Sequence, residues 1–117
     1  MDFRTGLEMA KLVRNGNVSS RELILDAYQR IAAQNKNLNA VVTLRKEKAI
    51  FESDHLTDTG QPFYGVPLLI KGLGQSLAGE PSTAGSVLLK DQIAAQTNFF
   101  VQALQRAGFI IIGQTNV

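Results

Sequence analysis

Among the side chains able to do chemistry in this sequence, Lys71 has the most unusual setting. It ends the stretch Tyr64-Gly65-Val66-Pro67-Leu68-Leu69-Ile70-Lys71. Val66, Leu68, Leu69 and Ile70 form the short apolar run expected of a strand buried on both faces, and Gly72 and Gly74 close it. In open α/β sheets ligands bind beyond the carboxyl ends of the strands, so an amine there stands at a candidate active site. Burial disfavours the charged form, and an amine relieved of its proton is a usable base. The same eight residues also suit a lysine that lays its stem along apolar surface and carries its ammonium to water.

Hydroxyl groups are the other candidates. Ser82, Thr83 and Ser86 lie in Gly79-Glu80-Pro81-Ser82-Thr83-Ala84-Gly85-Ser86, part of a Gly-, Ser- and Thr-rich stretch from Gly72 to Gln92 too long for a tight turn. A hydroxyl nucleophile needs an adjacent base, and no Gly-x-Ser-x-Gly pattern surrounds any of them, so each reads as a turn residue. Cysteine is absent and His55 is the sole histidine, which excludes disulfides and thiolate metal sites and leaves His55 as a polar surface residue. Gly72, Gly74 and Gly79 do not spell Gly-x-Gly-x-x-Gly, and no carboxylate cluster has ligand spacing; neither a cofactor nor a metal is expected.

Several elements must hold Lys71 in place. Leu7, Met9, Ala10, Leu12 and Val13 form an imperfect helical stripe from Thr5 to Asn15, which Gly16 closes. Ser19-Ser20-Arg21-Glu22 is a capping box and starts a second helix. Its inner face is Leu23, Ile24, Ala27, Tyr28 and Ile31, and Asn35 to Asn37 are expected to break it. Leu38 to Leu44 reads as a strand, Arg45 to Asp54 as a helix, and Thr57 to Pro62 as a surface loop. From Thr97 to Ala107 a helix carries Phe99, Phe100, Ala103, Leu104 and Ala107 toward the sheet, with Gly108 as its stop. Phe109 to Ile112 is a buried strand, so strand, helix and strand make a right-handed parallel βαβ unit. Gln114, Thr115 and Asn116 then emerge at the edge that carries Lys71.

The chain has 117 residues, 44% of them hydrophobic, as in an ordinary globular domain. Its formal charge of +2 is too small, and its Lys and Arg too scattered, for a nucleic-acid footprint. No apolar run approaches the roughly 20 residues that span a bilayer, and no leader pattern opens the chain, so a cytoplasmic location with no membrane partner is expected.

Three motifs in order resemble the N-terminal part of the amidase signature family: Gly65-Val66-Pro67-Leu68-Leu69-Ile70-Lys71 its Gly-x-Pro-(apolar)3-Lys strand, Thr83-Ala84-Gly85-Ser86 its turn, and Gly113-Gln114-Thr115-Asn116 its Gly-Lys-Thr-Asn strand end. Asn39-Ala40-Val41 is similar to the family's Asn-Ala-Phe. The resemblance implies an α/β fold: the first part of a single α/β/α sandwich around a mixed sheet, with residues 1–60 a helical lead-in with one strand and 61–117 the lysine strand, loop, helix and second strand. It implies that Lys71 is the catalytic base of a Ser-cisSer-Lys triad, supported by Gly85, Ser86, Thr115 and Asn116, acting on a small-molecule amide without a cofactor. Both of the family's serines lie downstream of the Thr-Asn motif, beyond Val117, so these residues resemble a portion that supplies the lysine alone, is inactive by itself and self-associates through uncovered edges.

Two positions depart from the pattern. Gly72 stands where the family usually has Asp, removing a carboxylate near Lys71. Gln114 stands where Lys is frequent, a substitution expected to matter little at a polar surface position. Other readings remain beside the amide hydrolase: the glutamine amidotransferase subunit of the same family, which serves charged tRNA with partner subunits, and a non-catalytic interaction module.

Overall fold

The computed structural model describes residues 5–38, 41–71, 75–82 and 92–115. Helix α1 spans Gly6–Arg14, α2 Ser20–Leu38 and α3 Lys46–His55; strand β1 spans Val41–Leu44, β2 Pro67–Lys71 and β3 Ile110–Thr115, and α4 spans Phe99–Arg106 between β2 and β3. Local chemistry sets the helix starts. The Ser19–Glu22 box forms as expected: the Glu22 N–H donates to Ser19 Oγ at 3.0 Å and the Ser19 N–H to Glu22 Oε1 at 3.2 Å. Thr5 and Glu8 make a second box at the start of α1.

Among the described residues the strands form one sheet in the order β1-β3-β2, with β1 antiparallel and β2 parallel to the central β3. Residues Pro67, Leu68, Leu69, Ile70 and Lys71 pair with Ile110, Ile111, Gly113, Gln114 and Thr115, the register slipping by one residue after Leu68. Neighbouring residues of β3 serve opposite faces, as strand alternation requires. Ile110 and Ile112 join Ile24, Tyr28 and Ala49 under α2 and α3. Ile111 joins Ile70, Leu77 and Val101 under α4, so helices cover both faces of the mixed sheet.

Three expectations need correction. Asn35 to Asn37 do not break α2, which runs to Leu38; Asn35 stays helical and uses its side-chain amide to bind both backbone groups of Val41, at 2.7 and 2.9 Å. The expected strand from Leu38 is accordingly shorter and begins at Val41. In α4 the aromatic pair does not pack onto the sheet: Phe99 and Phe100 are 85% and 53% exposed and Ala103 is exposed, whereas Val101 is fully buried and Leu104 packs beside it. The Asn98 cap, whose Oδ1 accepts the Val101 N–H at 2.9 Å, starts α4 at Phe99, and the face toward the sheet is the one carrying Val101 and Leu104.

The segment before β2 runs beside the one before β3. Phe63 N–H donates to the Ala107 carbonyl at 2.8 Å, Gly65 N–H to that of Gly108 at 2.9 Å, and Ile110 N–H to that of Val66 at 2.9 Å. Gly108 has φ +106°, and a Cβ there would lie 2.7 Å from the Tyr64 nitrogen, so the approach demands glycine.

Candidate active site

Because β2 and β3 are parallel, their carboxyl ends lie side by side, with Lys71 paired to Thr115. Lys71 is exposed, so the enclosure expected around a buried amine is not supplied by the described residues. The Lys71 backbone N–H donates to Gln75 Oε1 at 2.6 Å, and the Thr115 hydroxyl donates to the Ile70 carbonyl at 3.4 Å. Lys71 and Thr115 are thus brought together. Gly72 and Asn116 lie outside the described residues, as does the whole Thr83 to Ser86 turn with Gly85 and Ser86.

The stretch on either side of that turn is ordered by its own pairing. Pro81 bridges Ile93 in antiparallel fashion, and Ser82 N–H donates to the Gln92 carbonyl at 2.8 Å. Gly79 N–H donates to the Ala94 carbonyl and Ala94 N–H to that of Glu80, both at 2.9 Å. Two side chains tie this ribbon to the sheet. The first is Gln114, which is not the surface residue its motif suggested: it is only 5% exposed, and its Nε2 donates to the Pro81 carbonyl at 2.8 Å. A change there removes a buried donor, so Gln114 is structurally consequential.

The second is Glu80, a buried carboxylate paired with Lys48 and lying 3.8 Å from Arg45 Nε. Arg45 is the hub. Its side chain is 7% exposed; it pairs with Glu52 at 2.6 Å and donates to the Ile111 carbonyl at 2.7 Å, while its Nε has no hydrogen-bond partner among the described residues. Sequence reasoning took Arg45 as a charged residue opening α3 and did not single out Gln75 or Glu80. No local pattern marks them, because their role depends on how the chain folds back. An arginine at the N-cap position is the one trace, since a guanidinium has no acceptor to offer the helix N–H groups.

The described part of the site can place an amine at a strand end and hold its backbone; among the described residues no group of three or more His, Cys, Asp or Glu is placed to hold a metal ion. Nor is any helix among them long and apolar enough to cross a membrane.

Comparison with known proteins gives this geometry a context. The family model described as Amidase matches residues 22–117. The chain is 59% identical over 112 residues to a lipoamidase of Enterococcus faecalis, covering 96% of this chain and 15% of that protein. It is 36% identical over 104 residues to a glutamyl-tRNA(Gln) amidotransferase subunit of Nitratidesulfovibrio vulgaris, covering 86% of this chain and 21% of that one. The solved structure of 6-aminohexanoate cyclic dimer hydrolase complexed with substrate superposes with a TM-score of 0.87 at 34% identity, over 97% of this chain and 23% of the hydrolase. The chain therefore spans less than a quarter of each of these proteins. With the family pattern matched from Glu22 to Val117 and the α/β fold shared at that level, the chain belongs to the amidase signature family.

Proposed function

We propose that Lys71 is the base of an amide hydrolase and that the bridging and nucleophilic serines come from residues outside these 117. In this reading the neutral Lys71 amine accepts the proton of the bridging serine, which takes that of the nucleophile. The freed oxygen attacks the amide carbonyl, the C–N bond breaks as the leaving amine takes up a proton, and water then cleaves the acyl-enzyme ester. Backbone amides near the nucleophile stabilise the oxyanion. Gly85, Ser86, Thr115 and Asn116 support the site, and the 117 residues alone do not turn over substrate.

The observation that carries this reading is the placement of Lys71 at the carboxyl end of β2, in register with Thr115 of the third motif. For the substrate we propose a carboxylic amide, a lipoyl amide being the first to test in view of the 59% identity to lipoamidase. In the full-length protein that carries this chain, Lys71→Ala lowers the rate of acyl-enzyme formation by several orders of magnitude without moving the thermal unfolding midpoint. Lys71→Arg is nearly as poor, because a guanidinium stays protonated. Turnover close to wild type in Lys71→Ala removes Lys71 from the catalytic set.

A second reading, an amidotransferase subunit that releases ammonia from glutamine for charged tRNA, rests on the 36% identity to such a protein. Co-purification with partner subunits and ammonia release from glutamine would favour it over the first.

The 117-residue chain by itself self-associates. Phe99, Phe100 and Ile93 are exposed, β2 is an edge of the described sheet, and a groove of about 460 Å³ lined by Met9, Leu23, Ala27, Ile31 and Leu69 opens beside it. Sedimentation at tens of micromolar should show dimers or larger species; a monodisperse monomer refutes this.

A further inference from the structure

Ile70 C=O and Lys71 N–H belong to one peptide unit, and side chains from two different elements hold its two polar atoms. Thr115 Oγ1 donates to the oxygen at 3.4 Å from β3, and Gln75 Oε1 accepts from the nitrogen at 2.6 Å from the segment after β2. A peptide is planar, so holding both ends of its dipole restrains its rotation, which is set by ψ at Ile70 and φ at Lys71, and with it the direction in which the lysine side chain leaves the strand. The Gln75 contact is shorter than the usual 2.9–3.0 Å of an amide hydrogen bond, and the Thr115 contact is longer.

Gln75 reaches Lys71 from a fixed base. The three residues that follow it are all engaged: the Ser76 carbonyl accepts from the Asn98 N–H at 3.1 Å, Leu77 is buried among Ile70, Val101 and Ile111, and the Ala78 N–H donates to Thr97 Oγ1 at 2.9 Å. The start of α4 therefore anchors the arm that holds Lys71. A glutamine needed only for solubility at a loop position would have no reason to turn back onto the strand four residues earlier.

We infer that Gln75, with Thr115, is a positioning residue for Lys71, clamping the Ile70–Lys71 peptide so that the amine leaves the strand in one direction. The inference deepens the reading of Lys71 as a base and rests on it for its catalytic consequence, though not for the clamp itself.

Hydrogen exchange resolved to single amides tests the clamp on the 117-residue chain. Gln75→Met keeps the length and removes the acceptor, so the Lys71 amide exchanges about tenfold faster while Ile111 and Val101 amides are unchanged. Gln75→Glu keeps an acceptor oxygen and keeps the protection. Unchanged exchange at Lys71 in Gln75→Met, or equal acceleration at every amide in both variants, overturns the inference. In the full-length protein Gln75→Met lowers kcat about tenfold with KM within about twofold. Gln75→Glu recovers kcat but moves the acid limb of the pH profile upward, since a nearby carboxylate favours the protonated amine. Equal losses in the two variants, with no movement of that limb, also overturn it. Full turnover in Lys71→Ala would remove the base and leave the exchange result standing, which separates the two failures.

Discussion

On the face of the sheet covered by α2 and α3, Ile24, Tyr28, Ala49, Ile110 and Ile112 are closed over; on the other, α4 buries Val101 and part of Leu104 and leaves two phenylalanines outside. The same strand, β3, supplies both faces with isoleucine, so the difference does not lie in the sheet. It lies in the covering helices, of 19 and 10 residues on one side and 8 on the other. Buried polar bonds tie the first side down further, with Tyr28 Oη donating to the Ile112 carbonyl at 2.7 Å and Arg45 to that of Ile111. Among the described residues the first face encloses the larger core, although Phe51 of α3 and the groove beside β2 stay open there; on the second the aromatic pair of α4 is uncovered.

The largest effect that would sharpen this contrast is expected at Arg45. Arg45→Ala removes the pair with Glu52 and the donor to the Ile111 carbonyl, while Glu80 keeps Lys48, at a cost of about 1.5–3 kcal/mol by urea unfolding. A loss below about 0.5 kcal/mol, the size typical of a surface change, would break the comparison.

Tyr28→Phe ranks next, at about 1 kcal/mol, because the Ile112 carbonyl loses the shorter of its two donors and keeps only the Arg45 N–H at 3.2 Å. Burial raises the Tyr28 pKa above its ordinary 10.0, overriding the opposing pull of Arg45. A raised folded pKa means that the stabilisation is complete below 10.0 and is lost as pH rises through the folded value. Wild-type stability should therefore fall on the alkaline side, and Tyr28→Phe should lose that slope; a parallel slope in both proteins contradicts the assignment.

The smallest effect on stability is expected on the bare face. Phe99→Ser with Phe100→Ser should move the unfolding free energy by less than about 1 kcal/mol while lowering the sedimenting mass. An unfolding loss as large as that of Arg45→Ala would show that the two rings are packed and break the comparison.

Much of the architecture was legible in the sequence because it rests on local patterns. The Ser19–Glu22 box, the apolar runs of β2 and β3 and the Gly108 stop each act within a few residues, and the three motifs carried the family. Legibility failed where a distant partner decides. Phe99 and Phe100 have the spacing of a packing face, yet the sheet meets Val101. Asn35 looks like a helix breaker until its side chain is seen on Val41. Gln114 looks like a surface residue because Pro81, its partner, lies 33 positions away. At the site, Lys71 and its closeness to Thr115 could be read from parallel topology, whereas Gln75 could not: a glutamine in a glycine-rich stretch has no signature that marks it as the acceptor for a strand end.

Arg14 leads to a different consequence. It reaches both oxygens of Asp58 at 3.0 and 3.2 Å and the Gln61 carbonyl at 2.7 Å, and its guanidinium lies 5.3 Å from the Tyr64 ring centre, so one side chain moors α1 to the loop before β2. That bond holds the Asp58 carboxyl below its ordinary 3.8, so its contribution is complete above that value and fades as pH falls through the folded one. The pair is open to solvent and within reach of screening ions, unlike the Arg45 hub. Ionic strength and acid therefore weaken the bond that moors α1. Since α1 supplies Met9 to the groove beside β2, the Arg14–Asp58 pair also fixes one wall of that groove.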